Sequence, residues 1–416
     1  MDYNTLLLSF GIDANDCSQF EALSDDNETI IFIKLKANQR TCPKCSFTEC
    51  NIKEYKKKLV RSLSTGKNTT NISFTLPRYV CPRCNKTYTH LLKKYAINSV
   101  SKISRKKMLE LFSQIITYKH IADEMDLSIT ETINIFDEIC PDLRVPMNEA
   151  ICIDEFSNVR KSEFKFACAI VDFESHKFID ILKSRTTPYL DEYFNKIPLE
   201  SRKKVKYFVT DMYDGYISAA KRWFPNVTIA IDPFHYMEYL TEAVQSIRRR
   251  ILDDDSKYFY DKAWMGTNWR LLTTNPKNYP KGNMTLKSGI TISYYDRVKR
   301  FCKQDNELLY AFLKIQTIYL ELEHLSFEEA KSYIDMTIKS LLNSTSEEFN
   351  KCGNTWNNYK EYIINSFIVF KGNRLSNGPM EGINKRVKDL KHIMSGYRNT
   401  DRFYKRLILI QNSKKG

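Results

Sequence analysis

Alternation comes first in this chain. In TTNISFTLPRYVC, the apolar residues Ile72, Phe74 and Leu76 fall two apart, which predicts an extended strand with one buried face. From Ser104 the period lengthens. SRKKMLELFSQIIT places Met108, Leu111, Phe112, Ile115 and Ile116 on one helix face, and YKHIADEMDLSITETINIFDEI reads as helix, short turn, helix. Ser128 and Glu131 form an S-x-x-E start signal for the last of these, with Ile133, Phe136 and Ile139 facing its partner. This pattern resembles a helix-turn-helix, whose second helix reads the DNA major groove.

After Pro146 the period returns to strands, over residues 150–156, 164–173 and 177–184. A helix over 189–197, a strand over 205–212, the helical YISAAKRWF and the strand-like VTIAIDPFH follow. Three strands and then alternating helices and strands are what an α/β sheet of RNase H-like topology requires. From Phe234 to about Phe370 the period is helical, interrupted by the loop-forming TTNPKNYPKGN. Trp264 and Trp269 lie in this stretch at a helical spacing that suits core packing. A last helix follows Pro379, with Met380, Ile383, Val387, Leu390 and Met394 as its apolar stripe. The expected domains are residues 1–97, 98–146, 147–255, 256–370 and 371–416.

Charge changes this picture. The formal net charge is +14, yet residues 34–107 hold nineteen Lys or Arg against two acids, and residues 371–416 hold twelve against three. Those two blocks exceed the total, so the remainder is net acidic. Basic flanks around an acidic middle point to a polyanion partner, most simply nucleic acid. The amino-terminal MDYNTLLLSFGID has no basic region before its short apolar run, and no stretch is long enough to span a membrane. Eleven cysteines without an export signal read as reduced thiols and metal ligands, so a cytoplasmic protein is expected.

Four of those cysteines are paired as Cys42-Pro-Lys-Cys45 and Cys81-Pro-Arg-Cys84. Each pair can wrap two thiolates around one tetrahedral ion, and the Pro stiffens each turn, so a Zn²⁺ ribbon is expected. The gap between pairs exceeds the usual spacing, and a strand hairpin can span it. Cys50 and His90 are nearby candidates for a swapped ligand.

Two acids stand out among the central strands. Asp154 and Asp211 are each expected to end an apolar strand, where an uncompensated carboxylate is costly and a divalent cation is the natural partner. Strand-end Asp is also a common turn residue. Glu381 is a lone acid at the head of a helix otherwise crowded with Lys and Arg; acids also favour that position for local reasons. Asp232 and His235 form a D-x-x-H element at a strand-to-helix junction.

Together, IDEF with Asp154, VTDMYDGY with Asp211, DPFHYME with Asp232 and His235, and SNGPMEGINKRVKDLKHIMSGYR with Glu381 resemble the DDE transposases of the ISL-three family of bacterial insertion sequences. The paired cysteines and the helix-turn-helix extend that similarity over nearly the whole chain. The resemblance implies an RNase H-like core interrupted by a long all-helical insertion, in which an aromatic such as Trp264 or Trp269 can instead stack on an extruded base. It implies Asp154, Asp211 and Glu381 as catalytic ligands of Mg²⁺ or Mn²⁺, with Asp232 and His235 in support. Lys385, Arg386, Lys388, Lys391, Arg398 and Arg402 would track DNA phosphates. The expected activity is hydrolysis and strand transfer at element-end inverted repeats, on double-stranded DNA of element ends and target, by a homodimer or larger assembly. A non-catalytic DNA-binding regulator and a metal-dependent nuclease without joining activity are the alternatives.

Overall fold

The computed structural model describes residues 3–414 except 27, 66–67, 90–91, 98–99, 161, 287 and 394–398. The chain divides into two compact units, one of residues 1–143 with 387–415, the other of residues 144–386.

In the first unit, α1 (Tyr3–Ser9) precedes β1 (Cys17–Ser24), β2 (Glu28–Leu35), β3 (Asn51–Thr65) and β4 (Asn68–Val80). Then come β5 (Thr87–Tyr88), α2 (Leu92–Tyr95), β6 (Ala96–Ile97) and β7 (Val100–Ser101). The sheet order is β1-β2-β4-β3-β7-β6, with β5 on β4. The alternation around Ile72 does its work here: Ile72, Phe74 and Leu76 are buried against Ile31, Ile33 and Leu35 of the neighbouring strand. β3 and β4 form the long hairpin expected between the two cysteine pairs.

Three helices follow: α3 (Lys102–Phe112), α4 (Tyr118–Glu124) and α5 (Ile129–Ile139). Each begins at a hydroxyl cap, Ser101, Thr117 and Ser128, whose side chain accepts a backbone N–H three residues on. Asp126, in the left-handed region, ends α4, and Leu127 N–H returns to the Ala122 carbonyl. Phe112, Tyr118 and Phe136 pack edge to face, while Ile133 and Ile139 are only half-buried because Ile135 takes the inward position. Over these rings lies the buried Arg406 of the C-terminal helix Thr400–Asn412, donating to the carbonyls of Gln114 and Ile116.

The second unit is built on β8 (Ala150–Ser157), β9 (Phe166–Asp172), β10 (Phe178–Leu182), β11 (Tyr207–Thr210) and β12 (Thr228–Ile231), in the order β10-β9-β8-β11-β12. The first three strands are antiparallel; β11 is parallel to both β8 and β12. The crossovers carry α6 (Thr187–Lys196), α7 (Leu199–Arg202) and α8 (Asp214–Trp223). β8 and β9 are buried almost throughout, which explains their near-continuous apolar texture.

α9 (Pro233–Leu252) leads from β12 into the insertion, made of α10 (Lys262–Thr267), α11 (Tyr294–Cys302), α12 (Asn306–His324), α13 (Phe327–Leu342), α14 (Glu347–Asn358) and α15 (Lys360–Asn365). The insertion is not all-helical. A small hairpin pairs Asn283–Thr285 with Thr291–Ser293, because Gly282 and Gly289 supply left-handed turns around a short alternating run. The fully buried Trp356 fastens α14 to α9 by donating to the Tyr236 carbonyl at 2.9 Å and meeting the Tyr236 ring edge to face. Trp264 and Trp269 are half-buried. Trp264 packs on the core with the Arg297 guanidinium 4.0 Å from its ring centre.

Past the insertion, Val369–Phe370 and Asn373–Arg374 pair across Lys371 and Gly372, both at positive φ. The next helix, α16 (Gly378–Ile393), buries Met380, Ile383, Val387 and Leu390, the predicted stripe; Met394 lies outside the described residues.

Candidate active site and metal centre

Asp154 lies inside β8 rather than at its end. The parallel pairing with β11 stops at Cys152, while the antiparallel pairing with β9 continues to Ser157, so the strand runs on alone on one side. Asp211 is the first residue after β11. Both carboxylates therefore sit where the two parallel strands finish, the end of an open α/β sheet where ligands bind.

There they meet a third acid, Glu155, and one carboxylate oxygen of each residue lies within 4.8 Å of the others. Asp154 accepts the Glu155 backbone N–H at 2.7 Å and the Asn384 amide at 3.2 Å. Asp211 accepts the Tyr213 backbone N–H at 3.1 Å. Burial pushes Asp154 up to about 7, a rise that the Glu155 N–H resists and the charge of Asp211 adds to. Burial likewise raises Asp211 to about 6, with the Glu155 charge next and His235 pulling the other way. Like charges held together under partial burial are poised for a cation.

Two oxygens strengthen that reading of the donor set. Glu155 Oε2 and Asn384 Oδ1 are buried without a hydrogen-bond partner. A set of carboxylate and amide oxygens fits a hard divalent ion such as Mg²⁺ or Mn²⁺. Glu155 Oε1 is held by Arg185 at 2.7 Å, and the Arg185 guanidinium stacks over Tyr213 at 4.6 Å.

Glu381 is not among the converging oxygens. It is exposed on the first turn of α16, because the inward stripe of that helix belongs to Met380 and Ile383. Its neighbour one turn on, Asn384, is the α16 side chain that touches Asp154. Asp232 caps α9 through the Phe234 N–H and also accepts the Asn377 N–H at 2.7 Å, so it ties the segment entering α16 to the end of β12. Burial raises its carboxyl, and the Asn377 N–H opposes the rise. His235 is half-buried on the first turn of α9, near enough to influence both Asp211 and Asp232.

Sequence reasoning missed Glu155, Arg185 and Asn384. Glu155 adjoins Asp154 and was visible as a second acid in IDEF, but strand alternation assigns neighbours to opposite faces. Arg185 and Asn384 had no signal beyond composition.

The paired cysteines converge in the first unit. The sulfurs of Cys42 and Cys84, and of Cys45 and Cys81, are each 3.6 Å apart, and all four lie within 4.8 Å. A tetrahedron of Zn–S bonds near 2.3 Å places sulfurs about 3.8 Å apart, so the donor set fits Zn²⁺. The two turns share one design. Ser46 N–H returns to the Cys42 carbonyl and Asn85 N–H to the Cys81 carbonyl, with Ser46 and Asn85 both left-handed. Cys50 is buried beside them with its thiol directed to the Phe47 carbonyl, outside the group of four, and His90 lies outside the described residues.

Among the basic candidates, Lys385 and Lys388 are exposed, while Arg386 and Lys391 are half-buried. Burial lowers the Lys391 ammonium pKa. Arg402 is engaged by Asp137 of α5 through a two-point ion pair. Arg398 lies outside the described residues.

The α/β sheet of one unit carries converging acids at the ends of its parallel strands, and the other unit carries a four-cysteine group; each could hold a metal ion. The family model described as Transposase, of the ISL-three DDE type, matches residues 151–407, from β8 to the C-terminal helix. The chain belongs to this transposase family. A comparison with curated proteins returned no match. Family membership implies action on DNA by nuclease and transferase chemistry, and no described helix is long and apolar enough to cross a membrane.

Proposed function

We propose that this protein is a DNA transposase that binds element-end inverted repeats and carries out metal-dependent phosphodiester hydrolysis and strand transfer. The observation that carries the reading is the convergence of Asp154, Glu155 and Asp211 at the parallel-strand ends of a sheet ordered β10-β9-β8-β11-β12. That order, with three antiparallel strands followed by two parallel ones, supports an RNase H-like core.

In this reading Asp154 and Asp211 hold the divalent ions, Mg²⁺ or Mn²⁺, and Glu381 is drawn from the edge of α16 to complete the ligand set. Bound there, divalent ions supply Lewis acidity that stabilises charge on phosphate oxygens and favours deprotonation of a hydroxyl nucleophile. Arg185 holds Glu155 in place, so the negative charge beside Asp211 is fixed before substrate arrives. Asp232 acts as a positioning residue by fastening the chain before α16, and His235 tunes the charge of Asp211. The exposed Lys385 and Lys388, with Arg386 and Lys391, contribute to phosphate binding. The zinc ribbon and helix-turn-helix recognise element ends, and bringing two ends together calls for a homodimer or larger assembly on DNA.

The test is a cleavage and joining assay with DNA carrying the inverted repeats that flank the coding region, plus a target plasmid, in Mg²⁺. The expected result is cuts at the element boundary followed by joined products. Cleavage without any joining would reduce the activity to that of a nuclease, and binding without cleavage would make the protein a regulator.

A further inference from the structure

β3 is paired with β4 along its length, but among the described residues it meets a strand on its other side only at Arg61 opposite Val100. Residues 53–59 therefore form a free sheet edge, and all seven side chains are exposed. Beside that edge lies a cavity of about 750 Å³. Lys56, Lys57 and Lys58 of β3, Lys93 of α2 and Lys102 of α3 stand around it. Its floor is aliphatic, formed by Leu76, Leu92, Ala96 and Ile97.

Lys56 reaches Glu54 at 3.9 Å, while Lys57, Lys58, Lys93 and Lys102 have no carboxylate partner among the described residues. Exposed lysines elsewhere, such as Lys196, Lys203, Lys331 and Lys351, each meet an acid three or four residues earlier in the chain. Gathering five ammonium groups, four of them without a carboxylate partner among the described residues, favours an anionic ligand that spans several of them at once.

We propose that this groove binds the sugar–phosphate backbone of duplex DNA, independently of base sequence. The proposal rests on the DNA-acting reading above and adds a contact surface separate from the cysteine turns and from the α4–α5 pair. Lysine ammonium groups meet phosphates as point charges, and the free backbone N–H groups of an edge strand add donors at the same face. The aliphatic floor suits deoxyribose carbons and lysine stems. Among the described residues no aromatic ring lines the cavity, which disfavours a stacked, unpaired base. A second copy of the chain is disfavoured as occupant, because pairing two such edges would set lysine against lysine.

The test measures the salt dependence of DNA affinity for the full-length, zinc-loaded protein on two duplexes of unrelated sequence. Each neutralised phosphate contributes about 0.9 to the slope of log K against log salt. Replacing Lys57, Lys58, Lys93 and Lys102 together by Gln is expected to flatten the slope by about 3–4 equally on both duplexes. The corresponding Lys→Arg set should restore it, and Gln at Lys196, Lys203, Lys331 and Lys351 should leave it unchanged. An unaltered slope in a Gln variant that retains zinc and its melting profile overturns the groove while leaving the DNA-acting reading intact. A loss confined to one duplex overturns backbone binding in favour of base readout. Absence of salt-dependent binding by the unaltered protein removes both readings.

Discussion

Replacing Asp154 by Asn should stabilise the protein in the absence of divalent ions while removing its response to them. The carboxyl sits at about 7 in the folded state against an ordinary value of 3.8. At pH 3 it is protonated whether folded or not and costs nothing. As pH rises from about 4 to about 7, the unfolded chain ionises and the folded one resists, so stability falls; above about 7 the full cost is present. Three pH units at 1.36 kcal/mol each set a ceiling of about 4 kcal/mol, and on the order of 2–4 kcal/mol is expected for Asn. For a unit of this size that raises Tm by about 5–10 °C at pH 8. Asn preserves local geometry. Its carbonyl can still accept the Glu155 N–H, and its amide can meet Asn384 Oδ1, which now has no partner. The assay is thermal unfolding at pH 5.5 and pH 8, with and without Mn²⁺. The unaltered protein should gain stability from Mn²⁺ at pH 8, since a ligand that binds only the folded state raises Tm. Asp154→Asn should start higher and gain little. A variant that melts at or below the unaltered protein at pH 8, or that keeps the full Mn²⁺ gain, refutes the electrostatic argument.

Three further outcomes follow from the same geometry. The Cys42→Ser, Cys81→Ser double variant should lose stoichiometric zinc by elemental analysis and lower the melting temperature of the first unit, and unchanged zinc content would refute the assignment. Glu381→Gln should reduce cleavage by at least a hundredfold while leaving DNA affinity within about twofold in a binding titration, whereas Glu155→Gln should retain measurable cleavage; the reverse ranking would make Glu155 the third ligand. Trp356→Ala should cost about 3–5 kcal/mol in denaturant unfolding, because a fully buried ring and its bond to the Tyr236 carbonyl are both lost.

The strands and helices of the second unit were legible because burial and periodicity coincide there. β8 and β9 have apolar residues on both faces, and β11 and β12 are short apolar runs with an Asp just beyond each. The convergence of Asp154 and Asp211 followed from the parallel pairing of their strands. The hairpin inside the insertion was hidden because three-residue strands carry almost no period. The position of Glu381 was hidden for another reason. A helix stripe shows which residues face inward, and it does not say which polar residue at the edge of that stripe reaches a neighbour; Asn384, three residues later, does so. Glu155 escaped because alternation on a strand holds for Cβ directions, while a Glu side chain is long enough to bring its carboxylate back to the site of its neighbour. The cysteine turns were legible from spacing and Pro alone, since both close on the same two backbone contacts.

The central claim is that Asp154 and Asp211 jointly hold a divalent ion. Anomalous diffraction from crystals of the protein soaked in Mn²⁺ tests it directly. A peak about 2 Å from a carboxylate oxygen of each residue is predicted; the absence of density between them, or a peak bound only elsewhere on the molecule, would contradict it.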